Sequence, residues 1–284
     1  MHLGCHVSIA GGLSKAIDRA VERKANTIQI FASSPRTWAG PNHDQKEIER
    51  FKNEAVAYKI DPVVIHAKYL VNLASPNPET VKKSRQSLVE DLVFAEKIKA
   101  LGSIVHVGSH KGEGLEKGLA QTAAVAKKVL KSTPPKTWLI LENTAGSQTQ
   151  SVHKIGSRFE ELALLIAKIG SERVKVCLDT QHSLASGYDV SSKEGLAQTL
   201  EEFERLIGLD RLVTIHVNDS KFALGTGKDR HENVGQGLIG EAGLRRVLNH
   251  PQLRHLPFIL ETPALGKEKT AVAEVRKLRE LVSL

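Results

Sequence analysis

Eight short runs of apolar residues alternate with longer amphipathic stretches along the 284-residue chain. The runs begin near residues 2, 27, 62, 103, 137, 174, 212 and 257, and they are rich in Val, Ile and Leu. Short continuous apolar runs predict parallel strands buried on both faces. Between them lie stretches whose apolar residues recur at helical spacing, with Lys, Arg and Glu opposite. They read GLSKAIDRAVERKA, KEIERFKNEAVAYK, PETVKKSRQSLVEDLVFAEKIKALG, EKGLAQTAAVAKKVLKS, RFEELALLIAKIG, GLAQTLEEFERLIG, EAGLRRVLNH and TAVAEVRKLRELVSL. Eight strand–helix units predict an α/β fold, a (β/α)8 TIM barrel forming a single domain over residues 1–284. The competing topology is an open doubly wound sheet, which usually carries a glycine-rich nucleotide turn after its first strand. GCHVSIAGG lacks the G-x-G-x-x-G spacing of that turn.

Six of the eight runs end on a metal-ligand side chain. PVVIHAK ends at His66, SIVHVGSH at His106, TWLILENT at Glu142, VKVCLDTQH at Asp179, LVTIHVND at His216 and PFILETP at Glu261. With 12 histidines and 32 acidic residues in the chain, six such endings exceed what chance would place there. In a barrel, residues at strand carboxyl ends converge on one mouth. A further set follows the same pattern: His182, three residues beyond Asp179, then Asp229 and His231, which share one side of an extended segment. The last two fall in the one long loop, residues 219–240, which is polar and glycine-rich as functional βα loops are.

Each residue also has a plainer reading. A lone histidine after a strand is more often a hydrogen-bonded loop residue, Asp179 and Glu142 could cap helices, and Glu261-Thr262-Pro263 could be a turn. Together the plain readings fail, because buried carboxylates clustered without a cation are costly. Mixed imidazole and carboxylate ligands suit Zn²⁺, with Mn²⁺ or Fe²⁺ as alternatives, and nine ligands suit two or three ions with bridging carboxylates. His2, His43, His153, His250 and His255 fall in loops or at helix ends and keep the plain reading; His6 and His110 lie close enough to the mouth to stay open.

Composition narrows the setting. No apolar run approaches the length of a membrane span, and MHLGCHVSIAGG lacks the character of a signal peptide. The two cysteines, Cys5 and Cys177, sit inside apolar runs and read as buried thiols, which suits a reducing cytoplasmic compartment. The net charge of +8 favours a polyanionic partner but carries little weight alone. Paired metal ions stabilise in-line displacement at phosphorus, so the cluster and the basic balance together suggest phosphodiester cleavage. Metal-dependent isomerisation of an open-chain sugar on the same barrel is the alternative.

The stretches GCHVSIAGGLSKA, IFASSPRTW, IHAKYLVNLAS, VHVGSH, LENTAG, CLDTQHSLASGYD, HVNDSK, DRHENVGQG and ILET run over nearly the whole chain. In that order they resemble the endonuclease IV-type apurinic/apyrimidinic endonucleases, and sugar isomerases do not share the set. The resemblance implies three zinc ions, with Mn²⁺ as an alternative at one site. It implies hydrolysis of duplex DNA 5′ to abasic sites with a 3′-hydroxyl product, and removal of 3′ blocking groups in base excision repair. By position, His66, His106 and Glu142 would hold one ion. Glu142 would bridge to a second ion bound by Asp179, His216 and Glu261, and His182, Asp229 and His231 would hold the third. Glu142 and Glu261 would be catalytic, Glu261 by orienting a hydroxide between the first two ions. Arg36 and the pair Tyr69–Leu70 match loops that enter the minor groove and replace lost stacking. A monomer without membrane contact is expected.

Four positions depart from the pattern. Val107 replaces a common proline, Gln181 a small residue or cysteine, Gln236 a glutamate, and Lys68 a proline or small polar residue. Lys68 is expected to add phosphate contact and Gln236 to make the mouth less negative.

Overall fold

Eight parallel strands close a barrel in chain order. They are β1 (His2–His6), β2 (Thr27–Phe31), β3 (Val63–His66), β4 (Gly102–His106), β5 (Trp138–Glu142), β6 (Val174–Asp179), β7 (Leu212–His216) and β8 (Pro257–Leu260). Each pairs with its neighbours in sequence, and β1 closes onto β8 with His2 to Cys5 opposite Pro257 to Leu260. The computed structural model describes residues 1–146 and 153–282. All eight predicted strands form within a residue or so of their expected starts.

The helices pack outside the strands: α1 (Lys15–Glu22), α2 (Gln45–Ala57), α3 (Pro78–Ile98), α4 (Leu115–Lys131), α5 (Phe159–Ile169), α6 (Thr180–Ala185), α7 (Lys193–Leu206), α8 (Gly240–Asn249) and α9 (Glu268–Glu280). Eight of them match the amphipathic stretches, and the last two residues of the final predicted stretch lie outside the described residues. The ninth, α6, is extra. All six of its residues, TQHSLA, are buried, so no polar stripe marks it in the sequence. Asp179 starts it as N-cap, its carboxylate accepting from the His182 amide at 2.8 Å. Among the described residues no helix is long and apolar enough to cross a membrane.

The strand period aims the ligands. Residues one apart face opposite sides of a sheet and residues two apart share a side. Val64, Ile104, Ile140, Cys177 and Ile259 pack together as a small cluster inside the barrel. Two residues further along the same strands stand His66, His106, Glu142, Asp179 and Glu261. The alternate residues, among them Ile65, Val105, Leu141 and Leu178, belong to the large core beneath the helices. An apolar floor inside the barrel therefore carries a polar layer one period above it. Register aligns His106 with Glu142 and Asp179 with His216 across neighbouring strands.

Two short ribbons shape the rim. Gly108–Ser109 pairs with Lys154–Ile155, and Asp219–Ser220 pairs with His231–Glu232. The second closes the long loop, whose base is tied by Asp219: its carboxylate accepts from Gly237, Ile239 and Gly240 amides at 2.9–3.2 Å.

Candidate metal centre

Six strand-end residues and three loop or helix residues meet above the apolar floor. Three groups of ligand atoms each lie within 4.8 Å of one another: His66, His106 and Glu142; Glu142, Asp179, His216 and Glu261; and Asp179, His182 and His231. Glu142 belongs to the first and second groups, and Asp179 to the second and third. Glu142 Oε2 stands 3.0 Å from His106 Nε2 and 3.3 Å from His66 Nε2, while its Oε1 stands 3.1 Å from His216 Nδ1. Glu261 Oε2 is 3.2 Å from the same His216 nitrogen. Asp229 joins the third group from its edge, 3.3 Å from His182 Nε2 and 4.0 Å from His231 Nε2. It also lies 3.7 Å from Lys154 Nζ.

The surrounding hydrogen bonds decide which imidazole nitrogen faces inward. His66 Nδ1 meets the Ala67 carbonyl at 2.7 Å, His182 Nδ1 the Asn143 carbonyl at 3.0 Å and His231 Nδ1 the Glu261 carbonyl at 3.2 Å. A ring that donates from Nδ1 keeps its Nε2 lone pair free for a metal. His216 is turned the other way. Its Nε2 meets Gln29 Oε1 at 2.8 Å, so Nδ1 faces the carboxylates. The Gln29 amide also donates to Glu261 Oε1 and contacts His6 Nδ1 at 3.0 Å. Asn218 donates to Asp179 Oδ2 at 2.7 Å and accepts from the Glu261 amide at 2.8 Å. Asn143 accepts from the Asp179 amide at 2.7 Å. Gln29, Asn143 and Asn218 escaped the sequence reading. The available signal was a polar residue inside the apolar run TIQIF and an asparagine just beyond two ligand strands, in LEN and HVN.

Charge balance supports cation binding. Burial opposes ionisation of Glu142, yet the His106 and His216 imidazoles hold its carboxyl well below the usual range. Burial is likewise overcome at Glu261, where His216 and His66 bring it down to about 2. At Asp229 the hydrogen bond from His182 outweighs burial and keeps the carboxyl ionised. Burial should strip protons from His182, but Asp179 and Asp229 raise it well above its ordinary value. His216 is also raised, against burial. The Cys177 thiol beside it is pushed up to about 12 by burial and stays neutral, so the Glu261 and Glu142 carboxylates hold that charge. Imidazolium protons thus neutralise the carboxylates here. His231 Nε2 is buried with no hydrogen-bond partner, pointing among these groups. An orphaned ligand atom in a nest of carboxylates is what a metal ion would satisfy, and the donor set fits one.

A cavity of about 520 Å³ opens onto this cluster, walled in part by His66, His106, His182, Asp229, His231 and Glu261. Glu142, Asp179 and His216 lie beneath it with no exposed surface. His6 lines the cavity, and burial pushes its imidazole down to about 4, so it is neutral. His110 is not at the mouth chemistry. Its Nδ1 accepts from the Gly112 and Gly114 amides, and its ring packs edgewise on His153.

Tyr69 stands on the cavity rim, 71% exposed, with its ring edge-on to Phe31 at 5.2 Å. Phe31 in turn packs 4.4 Å from His6. Arg36 is exposed, and Leu70 is half-buried in an adjoining groove. Two expectations need correction. Lys68 touches the cavity wall but is only 4% exposed, and its ammonium is engaged 3.2 Å from Ser87 Oγ on α3, so it is not free to reach a phosphate. Gln236 is exposed outside the cavity lining, its amide oxygen facing Asn233, so its lost charge does not bear on the cavity wall.

Residues 17–281 match a protein-family model described as a xylose isomerase-like TIM barrel. The chain is 43% identical over 282 residues to a probable endonuclease 4 of Carboxydothermus hydrogenoformans, covering 99% of this chain and 98% of that one. It is 42% identical to the probable endonuclease 4 of Halothermothrix orenii, covering 98% and 99%.

The chain belongs to the endonuclease IV family.

The crystal structure of endonuclease IV from Thermus thermophilus superposes with a TM-score of 0.87 at 37% identity, over 99% of this chain and 98% of that one. A D-tagatose 3-epimerase-like protein superposes at 0.73 but is 18% identical, over 99% and 97%, and so shares the fold alone. Endonuclease IV membership thus distinguishes this barrel from sugar-converting barrels of the same shape, and the nine candidate ligands lie within the aligned span.

Proposed function

We propose that this chain hydrolyses the phosphodiester 5′ to abasic sites in duplex DNA, leaves a 3′-hydroxyl, and removes 3′ blocking groups in base excision repair. In this reading it is a DNA-cleaving hydrolase that holds three zinc ions and works as a monomer in the cytoplasm. The observation that carries the reading is the sharing of Glu142 and Asp179 among three ligand groups under one cavity, in a chain of the endonuclease IV family. Both cysteines are free and buried, which suits a reducing compartment.

His66, His106 and Glu142 would hold the first ion, Glu142, Asp179, His216 and Glu261 the second, and His182, Asp229 and His231 the third, with Asp179 reaching between the last two. When bound, the ions supply Lewis acidity and offset charge at the scissile phosphate. The protein's own contributions follow from the geometry. Glu261 is the strand-end carboxylate that faces the cavity, 19% exposed where Glu142 and Asp179 are sealed. Gln29 fixes one of its oxygens, leaving the other beside His216 to help orient an attacking water. Asp229 and His231 also line the cavity and would position the leaving oxygen. Tyr69 and Leu70 would occupy the space of a missing base, with Arg36 in the minor groove. An abasic nucleotide has no base pair to break, so its extrusion is easy, and that favours the damaged site.

The test is incision of a labelled duplex carrying one tetrahydrofuran abasic analogue, beside an undamaged control. That analogue cannot undergo β-elimination, so a nick on its 5′ side requires hydrolysis. Glu142→Gln should fold normally and lose at least roughly 100-fold in rate, since it disturbs two ligand groups at once. No nick from the zinc-loaded protein, with turnover of an aldose instead, would overturn the reading in favour of sugar isomerisation.

A further inference from the structure

Asp229 differs from the other carboxylates of the centre. Glu142, Asp179 and Glu261 stand at strand ends, whereas Asp229 sits on the long loop and is 38% exposed. Something must hold its backbone if it is to serve as a ligand, because a ligand on a loose segment is ordered only at an entropic cost.

That support comes from α6. The loop doubles back along this helix at residues 225–228. Gly225 donates to the Leu184 carbonyl at 2.9 Å and Gly227 to the Ala185 carbonyl at 2.8 Å. Both glycines have positive φ, 74° and 69°, a conformation that side chains disfavour. The third contact is from a side chain. Gln181, fully buried on α6, donates from Nε2 to the Lys228 carbonyl at 2.9 Å and reaches Ser220 Oγ at 3.5 Å. The Lys228 carbonyl belongs to the peptide that leads directly into Asp229. Gln181 is also next in sequence to His182, whose Nε2 faces the Asp229 carboxylate at 3.3 Å. One turn of helix therefore presents a ligand and pins the peptide of its partner ligand. Gln181 Oε1 is buried with no partner. An unsatisfied buried acceptor is unfavourable, so the amide is held by what its donor side does.

We propose that Gln181 is a positioning residue for Asp229 and thereby sets the affinity of the third metal pocket, leaving the other two nearly untouched. The inference rests on the three-zinc reading above. A small residue or cysteine, expected at this position from the family resemblance, could not reach the Lys228 carbonyl.

The experiment uses the full chain stripped of metal and titrated with Zn²⁺ against a competing chromophoric chelator. Thermal unfolding of the metal-free forms is recorded alongside. Gln181→Met keeps the length and loses the donor. The wild-type protein should take up three equivalents. Gln181→Met should bind the first two with unchanged affinity and the third about 10–100-fold more weakly, as expected for loss of an outer-shell contact. Three equivalents bound equally tightly by both proteins would overturn the inference alone. Parallel weakening of all three would also overturn it, by showing a general loosening of the fold. Fewer than three equivalents in the wild-type protein would overturn the three-zinc reading and the inference with it. Gln181→Ala, too short to reach the Lys228 carbonyl and carrying no ligand atom, should reproduce the selective loss if the methionine variant fails to fold.

Discussion

Gln29 Oε1 lies 2.8 Å from His216 Nε2, and this contact turns the His216 ring so that Nδ1 faces Glu142 and Glu261. His66 and His231, whose Nδ1 meets a backbone carbonyl, present Nε2 inward, whereas His216 takes the opposite orientation through Gln29. Gln29→Leu should remove that constraint and also free one oxygen of Glu261. The expected result is roughly 10–100-fold weaker binding at the pocket holding His216, read by zinc titration. Unchanged affinity would show that packing alone sets the ring.

Metal uptake should release protons. His182 and His216 are raised well above their ordinary values in the metal-free site, so both are charged at neutral pH and must lose a proton to act as ligands. The sign follows: affinity for zinc should rise with pH, by about tenfold per pH unit for each proton displaced. Titration calorimetry in two buffers of different ionisation enthalpy measures the number. A pH-independent affinity would show that the imidazoles are neutral before the metal arrives.

Tyr69 is exposed and anchored on one side by Phe31, which suits a ring waiting for a stacking partner. Tyr69→Ala should weaken binding to an abasic duplex by about 5- to 150-fold, the equivalent of roughly 1–3 kcal/mol of base stacking. Zinc content should not change. Arg36→Ala should instead lower the slope of binding against salt by about one phosphate contact. Equal affinities for all three proteins would remove these residues from the DNA interface.

Asp91 on α3 is buried near Lys68, and burial raises its carboxyl to about 7. One of its oxygens has no hydrogen-bond partner. A carboxyl whose folded-state value is raised opposes folding as pH climbs: the unfolded chain ionises near pH 4 and the folded chain resists until about 7. Stability should therefore fall across that window. Asp91→Asn should flatten the profile and gain up to roughly 4 kcal/mol above it. Lys68→Ala, by contrast, should leave the salt slope of DNA binding unchanged, because its ammonium is turned toward Ser87.

The ligands on the strands were legible because two independent patterns coincide there. A continuous apolar run fixes a strand, and the strand period then aims its last residue into the barrel, as with Ile140 and Glu142. Asp229 and His231 were legible as ligand types in a glycine-rich loop, but their approach to His182 was not, since it depends on how that loop lies against α6. Helix α6 itself was invisible because every residue in it is buried. Lys68 was misjudged for a related reason: adjacency to a ligand says nothing about direction once a strand has ended. Gln29 shows the limit in the other direction, since one polar residue in an apolar run has no period to reveal its partners.

The pairing of residues 2–5 with 257–260 closes the barrel, and Glu261 follows directly on that last strand. The first strand must wait for the last one made, and the final ligand arrives with it. A chain emerging from the ribosome N-terminus first therefore carries an unfinished mouth until residues 257–261 have been synthesised. Until that point the candidate metal centre lacks one of its carboxylates, so barrel closure and completion of the ligand set are a single event.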